Sequence, residues 1–319
     1  MASELSAAVV IPSWNSAGLL PRCLDSLAGQ GAELEPMVID NGSSDGSVDL
    51  LRERGVPHIS LPTNTGFAAA VNLGAARTRA PLVLALNADT VLEPGCVGRL
   101  AEALAADPAL GGVQPRILQL EAGAGGDAAT ARLYSRGMAL GADGRAFEEG
   151  AGELQDERSA SPREVFGVCG AACLLRRQLF ADLGGYDESY FAFYEDVDLN
   201  VRARIAGWRF AYVPEAVVWH VGNASWLAEA SSPGSWNARL VARNRLATQA
   251  KFVPARVLPR IAAVEAGALA RAARQRRLRA TLAGKLAGLR RLPALLRERR
   301  RLRREGDPRL AQRWLGVRG

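Results

Sequence analysis

The apolar positions in the N-terminal part of the chain fall into short unbroken runs, each ended by small polar residues. Leu82–Leu86 is such a run, followed by Asn87, Ala88, Asp89 and Thr90. A run of that length stopping in turn formers predicts a buried strand with polar groups at its carboxyl end. Ala7–Ile11 stops at Pro12 in the same way. Pro36–Ile39 ends in Asp40-Asn41-Gly42, and His58–Leu61 leads into Thr63-Asn64-Thr65-Gly66-Phe67. Helical patterns lie between: Ala17–Ala28, with Leu19, Leu20, Cys23, Leu24 and Leu27 on one side, then about Val48–Arg54 and Ala68–Ala76. Strands alternating with helices predict an α/β fold whose residues 1–92 form a parallel, doubly wound nucleotide-binding half. Ligands of such a sheet bind at its carboxyl edge, where these strands carry their Ser, Asn, Asp and Gly residues.

Beyond Pro94 a helix is expected over Cys96–Ala105, ending at Asp107-Pro108. Residues 121–161 are rich in Gly, Ala, Asp and Glu with little periodicity, and read as a variable loop or lid. Glu164–Leu175 reads as one strand interrupted at Gly170-Ala171-Ala172. Small side chains there either admit a substrate to the backbone or serve strand–helix packing. A helix over Val197–Ala206 and a strand pair over Trp208–Val218, closing at Trp219-His220, complete a second half, residues 93–254.

Three places carry candidate chemistry. Asn87 and Asp89 make a hard-oxygen cluster suited to a divalent cation holding a phosphorylated ligand; an ordinary Asn/Asp turn is the alternative. Glu195, Asp196 and Asp198 stand in front of a helix, where carboxylates often serve only as caps and dipole complements. Beside them, Tyr190, Phe191, Phe193 and Tyr194 would form an apolar wall. Such a wall partly desolvates a carboxylate and keeps it available for proton abstraction. Asp196 and Asp198, two apart, point to different sides of a helix, so one would face a reacting centre. His220 closes an apolar strand and is either structural or a metal ligand; His58 is read as incidental. The loop Pro12-Ser13-Trp14-Asn15-Ser16 has no G-x-G-x-x-G, the Gly123–Gly126 cluster follows no strand, and no Walker A sequence occurs. Phosphates would then be handled by a metal at Asp89.

Composition adds little until charge is divided along the chain. The 319 residues allow one large domain or two smaller ones. Four cysteines without metal spacing read as reduced cytosolic thiols. MASELSAAVVIP lacks the basic start of a secretory signal, and no apolar run approaches the ~18 residues of a spanning helix. Residues 255–319, however, hold 19 Lys and Arg against 4 Asp and Glu, a net of +15, while residues 1–254 net −8. Leu278, Leu282, Leu286 and Leu289 recur among Arg274, Arg276, Arg277, Arg279, Arg290 and Arg291 as a basic amphipathic helix. Pro293 breaks it before a second cationic segment, Arg297–Arg304. Such a tail suits an anionic membrane surface. The alternatives are a solvated helix packed on the body, or a nucleic-acid contact, which the lone aromatic Trp314 argues against.

The motifs taken together resemble the inverting GT-A glycosyltransferases of family 2, in particular the bacterial rhamnosyltransferase-like branch. The matching pieces are VVIPSWN (from Val9), VIDNGSSDGS (from Val38), NTGFAAAVNLG (from Asn64), LNADT (from Leu86), GAACLLRR with one extra Ala (from Gly170), GGYDESYFAFYEDVDLNVR (from Gly184) and VVWHVGNAS (from Val217). They cover roughly Ala7 to Lys251. The resemblance implies a Rossmann-like nucleotide-sugar half continuous with an acceptor half through a mixed central sheet, followed by the basic helical tail.

It also implies roles. Asp40 would contact a pyrimidine base, with Pro12, Asn15 and Asn41 lining that pocket. Asn64, Gly66 and Asn72 would lie near the ribose and phosphates. Asn87-Ala88-Asp89 stands where the family has Asp-x-Asp, the first acid being Asn here. Asp89 and His220 would bind Mg²⁺ or Mn²⁺, and Asp196 would be the catalytic base, with Gly170, Ala171, Glu195 and Trp219 near the acceptor. The expected activity is metal-dependent, inverting transfer from a pyrimidine nucleotide-sugar, TDP-rhamnose by branch, to a cell-envelope glycan or polyprenyl-linked acceptor. The enzyme would work in the cytoplasm, with the tail on the inner face of the membrane. A sugar-phosphate nucleotidyltransferase, which would want a glycine-rich basic loop after the first strand, and a scaffold that has lost catalysis are the alternatives.

Overall fold

The computed structural model describes residues 6–120, 130–222 and 236–317. Its N-terminal half alternates as the apolar runs require: β1 (Ser6–Ser13), α1 (Leu20–Asp25), β2 (Glu33–Asp40), α2 (Ser47–Glu53), β3 (His58–Ser60), α3 (Gly66–Arg77) and β4 (Leu82–Leu86). These strands are parallel, in the spatial order β3-β2-β1-β4. β4 is buried throughout and β1 nearly so, which is why their sequences run apolar without alternation. Their carboxyl ends, and the loops after them, gather at one edge. α1 is shorter than the apolar spacing from Ala17 suggests.

The second half adds β5 (Thr90–Leu92), α4 (Cys96–Ala106), β6 (Leu110–Gln119), β7 (Leu133–Ser135), β8 (Met138–Leu140), β9 (Ala146–Glu148), β10 (Arg163–Val165), β11 (Ala172–Arg176), α5 (Arg177–Leu183), α6 (Glu195–Ile205) and β12 (Arg209–His220). The sheet continues past β4 through β11, β6 and β12 to β10, with β5 on β12 and β7 on β6. β11 is antiparallel to both its neighbours and β12 is parallel to β6, so the sheet is mixed.

Several elements differ from the sequence expectation. β6 was not anticipated, because Gly111, Gly112, Gln114 and Pro115 interrupt its apolar pattern. Its glycines leave room for side chains from neighbouring elements: a Cβ at Gly111 would lie 2.5 Å from Leu179 Cδ1, and one at Gly112 would lie 2.4 Å from Leu175 Cδ2. The single strand expected over Glu164–Leu175 is two strands in different places, β10 at the sheet edge and β11 between β4 and β6. The expected pair over Trp208–Val218 is one strand, β12, with a register shift between Val213 and Val217. The expected lid is ordered over residues 130–161; residues 121–129, including the Gly123–Gly126 cluster, lie outside the described residues. It is organised around buried Arg136, which pairs with Glu149, Glu153 and Asp156 at 3.3, 3.2 and 3.0 Å. Ion pairs leave no hydrophobic period to read.

Among the described residues five α-helices follow: α7 (Trp236–Phe252), α8 (Leu258–Arg274), α9 (Leu278–Arg290), α10 (Leu292–Glu305) and α11 (Pro308–Gln312). They are not a detached tail. α9 lies on α7 through Gly284, where a Cβ would meet Arg239 O at 2.2 Å. α10 buries Leu295 and Leu302, and its Glu298 pairs at 2.9 Å with the buried Lys251 of α7. α9 ends at Arg290 and α10 starts at Leu292, so the expected break falls beside Pro293, which sits in the first turn of α10, a position that needs no amide hydrogen. Among the described residues no helix is long and apolar enough to cross a membrane.

Candidate active site

A cavity of about 370 Å³ opens at the carboxyl edge of β1, β2 and β4 and runs beneath β9 and the start of α6. On the side of the parallel strands it is lined by Pro12 and Asn41, then Asn64 and Gly66, then Asn87, Ala88 and Asp89. Asn41 Oδ1 accepts from the backbone N–H of Thr65 (3.1 Å) and Asn64 Oδ1 from that of Gly66 (2.8 Å), which shapes the loop into α3. Gly66 is at φ +88°, and a Cβ there would lie 2.4 Å from Phe191 O, so only glycine lets the two loops meet. Asp40 is buried; its Oδ2 accepts from the N–H of Ser43 at 3.1 Å, while Oδ1 has no partner among the described residues.

Asp89 and His220 meet because β5 pairs antiparallel with β12, setting Thr90 opposite His220. His220 Nε2 lies 3.0 Å from Asp89 Oδ1 and 3.5 Å from Asn87 Nδ2, and its ring is edge-on to Tyr134. One carboxylate and one imidazole converging on a point beside the cavity fit a divalent cation that completes its shell with diphosphate oxygens. Two protein donors would leave most positions of such a cation open to the oxygens of a ligand. Buried His220 Nδ1 has no partner among the described residues.

Asp196, at the start of α6, lines the same cavity. Its Oδ2 accepts from the N–H of Gly170 (3.0 Å) and its Oδ1 from that of Val197 (2.8 Å). Burial raises its pKa and these amides hold it down in part. A carboxyl with a raised pKa is suited to take a proton near neutral pH. Asp198, two residues on, points away as the spacing foretold. It receives Arg202 at 2.7 Å and Lys251 at 2.8 Å; burial alone would raise its pKa, but these cations outweigh it and the pKa falls.

The turn that delivers Asp196 is strained. Phe191, Phe193 and Tyr194 have φ of 68°, 65° and 68°, a region bulky side chains avoid. Asn244, fully buried on α7, holds it: its Nδ2 lies 2.9, 2.9 and 2.7 Å from the carbonyl oxygens of Tyr190, Ala192 and Phe193. Arg243 donates to Ser189 O and Tyr190 O. No local pattern in the sequence marks Arg243 and Asn244 as this clamp. Phe193 and Tyr194 line the cavity; Phe191 packs on Trp236, and Tyr190 turns away to donate to Asp198 (3.2 Å). The expected aromatic wall is thus two residues, not four.

Gly170, Ala171 and Glu195 line the same cavity. Burial, then the Asp196 charge, push the Glu195 carboxyl well up, and its Oε2 has no partner among the described residues. Glu148 of β9 was not anticipated at all, since nothing in its local pattern marks it. Donor atoms of Glu148, Cys169 and Asp196 lie within 4.8 Å of one another. Burial and the Asp196 charge lift Glu148 to about 7, against the Ser135 hydroxyl that donates to it at 2.6 Å. Two carboxyls with a buried thiol are a poor set for Mg²⁺ or Mn²⁺, which prefer oxygen ligands.

Four expected site residues are not among those lining the cavity: Asp40, whose contacts are given above, Asn15, Asn72 and Trp219. Asn15 pins the loop after β2, accepting from Ser44 N–H at 2.9 Å. Asn72 ties α3 to Tyr186, donating to its carbonyl at 2.9 Å and accepting from its amide at 2.8 Å. Trp219 is buried with Leu118, Leu120 and Leu133 and donates to Glu93 at 2.6 Å. Asn223–Ser225 of the last matching motif lie outside the described residues. All four cysteines are free and buried; burial pushes Cys23 and Cys96 up to about 12, which makes them inert.

Residues 8–184 match the family described as Glycosyl transferase family 2. The chain belongs to that family. This family 2 glycosyltransferase is 31% identical over 234 residues to the N-acetylglucosaminyl-diphospho-decaprenol L-rhamnosyltransferase of Mycobacterium tuberculosis, covering 66% of this chain and 75% of the relative. It is 30% identical over 227 residues to an N-acetylglucosaminyltransferase of Rhizobium meliloti, of which it spans 50%. Among solved structures, TarS 1-349 of S. aureus with UDP superposes with TM-score 0.52 at 13% identity, covering 89% of this chain and 91% of that one. The mannosyltransferase PcManGT of Pyrobaculum calidifontis, with GDP-Man and Mn²⁺, superposes with TM-score 0.51 at 17% identity, covering 97% and 86%. At such identities these neighbours establish the GT-A fold alone.

Proposed function

We propose that this enzyme moves a sugar from a pyrimidine nucleotide-sugar to a hydroxyl of a lipid-linked saccharide, with inversion and with a divalent metal. The observation that carries the reading is one cavity lined both by the convergent Asp89–His220 pair and by Asp196 held on two backbone amides. Asp196 takes the proton of the acceptor hydroxyl as its oxygen bonds to the anomeric carbon, while the bond from that carbon to the diphosphate breaks on the opposite face. Asp89 and His220 would hold Mg²⁺ or Mn²⁺, which when bound neutralises charge on the departing diphosphate. The unpartnered Oδ1 of Asp40 suits the N–H of a pyrimidine ring. One displacement inverts the centre without an enzyme nucleophile.

The L-rhamnosyltransferase relative supports TDP-rhamnose as donor and a diphospho-polyprenol as acceptor carrier. The carrier implies an inner-membrane location, and Leu282, Leu286 and Leu289 of α9 are about half exposed among arginines. We read these leucines, with the net charge of +15 over residues 255–319, as an anionic-membrane contact. A thermal-shift series with TDP, UDP, GDP and CDP, each with and without Mn²⁺, tests the donor site. A metal-dependent rise with TDP or UDP is expected; no rise with any nucleotide would overturn the assignment. Turnover is then measured in Asp196→Asn, which should bind nucleotide and transfer nothing.

A further inference from the structure

The acceptor end of the cavity is unusual in its charge. Glu148, Glu195 and Asp196 all line it, and no Lys or Arg is among its described lining residues. Glu195 Oε2 is buried without a partner, so part of this carboxyl capacity is left for whatever enters. Glu148 is held for use: Ser135 donates to its Oε2 at 2.6 Å, and the Ser135 hydroxyl in turn accepts from the N–H of Gly137 at 3.1 Å. A carboxylate offers about four acceptor positions, so Glu148 keeps free ones after Ser135 and Cys169. Phe147, next in the strand, lines the cavity and is 39% exposed, an apolar surface beside the acids.

We propose that Glu148 anchors the acceptor sugar, accepting a hydrogen bond from a hydroxyl neighbouring the one that Asp196 deprotonates, and that this selects an acceptor ring bearing no anionic group. The proposal rests on Asp196 as the base. The Glu148 and Asp196 oxygens lie within 4.8 Å of each other, a span that two hydroxyls on one sugar ring can bridge. Sugar hydroxyls are donors, and they satisfy carboxylates at little electrostatic cost. A carboxylate or phosphate on the same ring would meet the Asp196 charge and the acceptor oxygens of Glu148 and Glu195, with no Lys or Arg among the described lining residues to offset it. The ring face rests on Phe147, as a pocket with an apolar wall and a few convergent polar groups requires. Glu148 also carries specificity of the stronger kind, because a missing hydroxyl leaves a buried acceptor unpaired.

Acceptor binding can be read without turnover. Saturation-transfer NMR on the TDP- and Mn²⁺-loaded full-length enzyme is run with octyl N-acetylglucosaminide, octyl glucoside and octyl glucuronide. Wild type, Glu148→Ala, Glu148→Gln and Asp196→Asn are compared, with melting temperatures confirming that each is folded. A neutral glycoside is expected to bind and the glucuronide to fail. Glu148→Ala should weaken the neutral ligand about tenfold with TDP affinity unchanged, since a hydrogen bond to a charged group is of that order. Glu148→Gln should recover part of the loss, because its amide oxygen still accepts. Equal binding of the glucuronide, no binding of either neutral glycoside, or unchanged binding in Glu148→Ala would each overturn the proposal. A fully active Asp196→Asn in the transfer assay would instead sink the base assignment.

Discussion

The carbonyl oxygen of Phe193 lies 2.7 Å from Asn244 Nδ2, although the two residues are 51 positions apart and on different elements. Phe193 holds φ 65°, and Asp196 three residues later is the carboxyl that faces the cavity. A side chain of α7 therefore fixes the backbone that aims Asp196, the proposed base. Strain of about 1–3 kcal/mol per such residue persists only where surroundings over-determine it, and the buried amide supplies that constraint.

Asn244→Ala should accordingly lose more than a hydrogen bond. It orphans carbonyls at roughly 1–3 kcal/mol each, which lowers the melting temperature by several degrees, at about 2–4 °C per kcal/mol. Once the strain is released, Asp196 drifts and kcat falls while TDP affinity stays near that of wild type. Unchanged kcat in a folded Asn244→Ala would show that the clamp does not position the base.

The nucleotide half was readable because its parallel strands are covered on both faces, so burial writes itself into β1 and β4 as continuous apolar runs. Asp89, Asp196 and His220 stand out for a related reason: each lies at or beside the end of an element whose pattern is plain. β6 was hidden by Gly111 and Gly112, which are there to receive Leu179 and Leu175 rather than to present side chains. Arg136 hid the β7–β9 region, since a polar core has no period. Glu148 and Asn244 gain their meaning from contacts far along the chain, which one sequence does not display. Asn72 and Trp219 carried motif positions, yet their polar atoms are committed to Tyr186 and Glu93.

Buried Lys251 predicts how stability responds to pH. It bonds Asp187 at 2.7 Å and Asp198 at 2.8 Å, and joins α7 to α6 and α10. Burial would raise Asp187, but Lys251 and Ser189 hold it at about 2, below its ordinary 3.8. A depressed folded-state pKa contributes stability above 3.8 that is lost as pH falls through about 2. Lys251→Met leaves buried carboxylates short of a partner, a loss of about 3–5 kcal/mol for a broken buried pair. Thermal melts from pH 2 to 7 should show a low plateau in the variant and a weaker acid dependence. Equal curves would mean that the network is inert.

Metal removal offers a separate test of the Asp89–His220 pair. Excess EDTA should abolish transfer and Mn²⁺ or Mg²⁺ restore it. His220→Ala and Asp89→Asn should each lower kcat roughly 10²-fold, by analogy with the loss of one charge-stabilising group at a reacting centre. In these variants the TDP thermal shift should no longer respond to metal. Full turnover in EDTA would refute the assignment.

The last prediction concerns the outward face of α9. Deleting residues 255–319 would not test membrane contact cleanly, because Leu295 and Leu302 would leave the core and Lys251 would lose Glu298. The exposed leucines can be changed alone, since α9 packs on α7 through its glycine side and Leu282, Leu286 and Leu289 are 47%, 50% and 52% exposed. Leu282→Ser/Leu286→Ser/Leu289→Ser should leave the melting temperature near that of wild type. Wild type should float with vesicles containing anionic lipid and lose that association as salt rises, since each basic side chain near the surface contributes about 1 kcal/mol of screened attraction. The triple variant should float several-fold less, because the leucines supply the part that salt does not screen. Equal flotation of the two proteins would assign the contact to arginines alone. No flotation of wild type would end the membrane reading and leave α9 a solvated helix on the catalytic body.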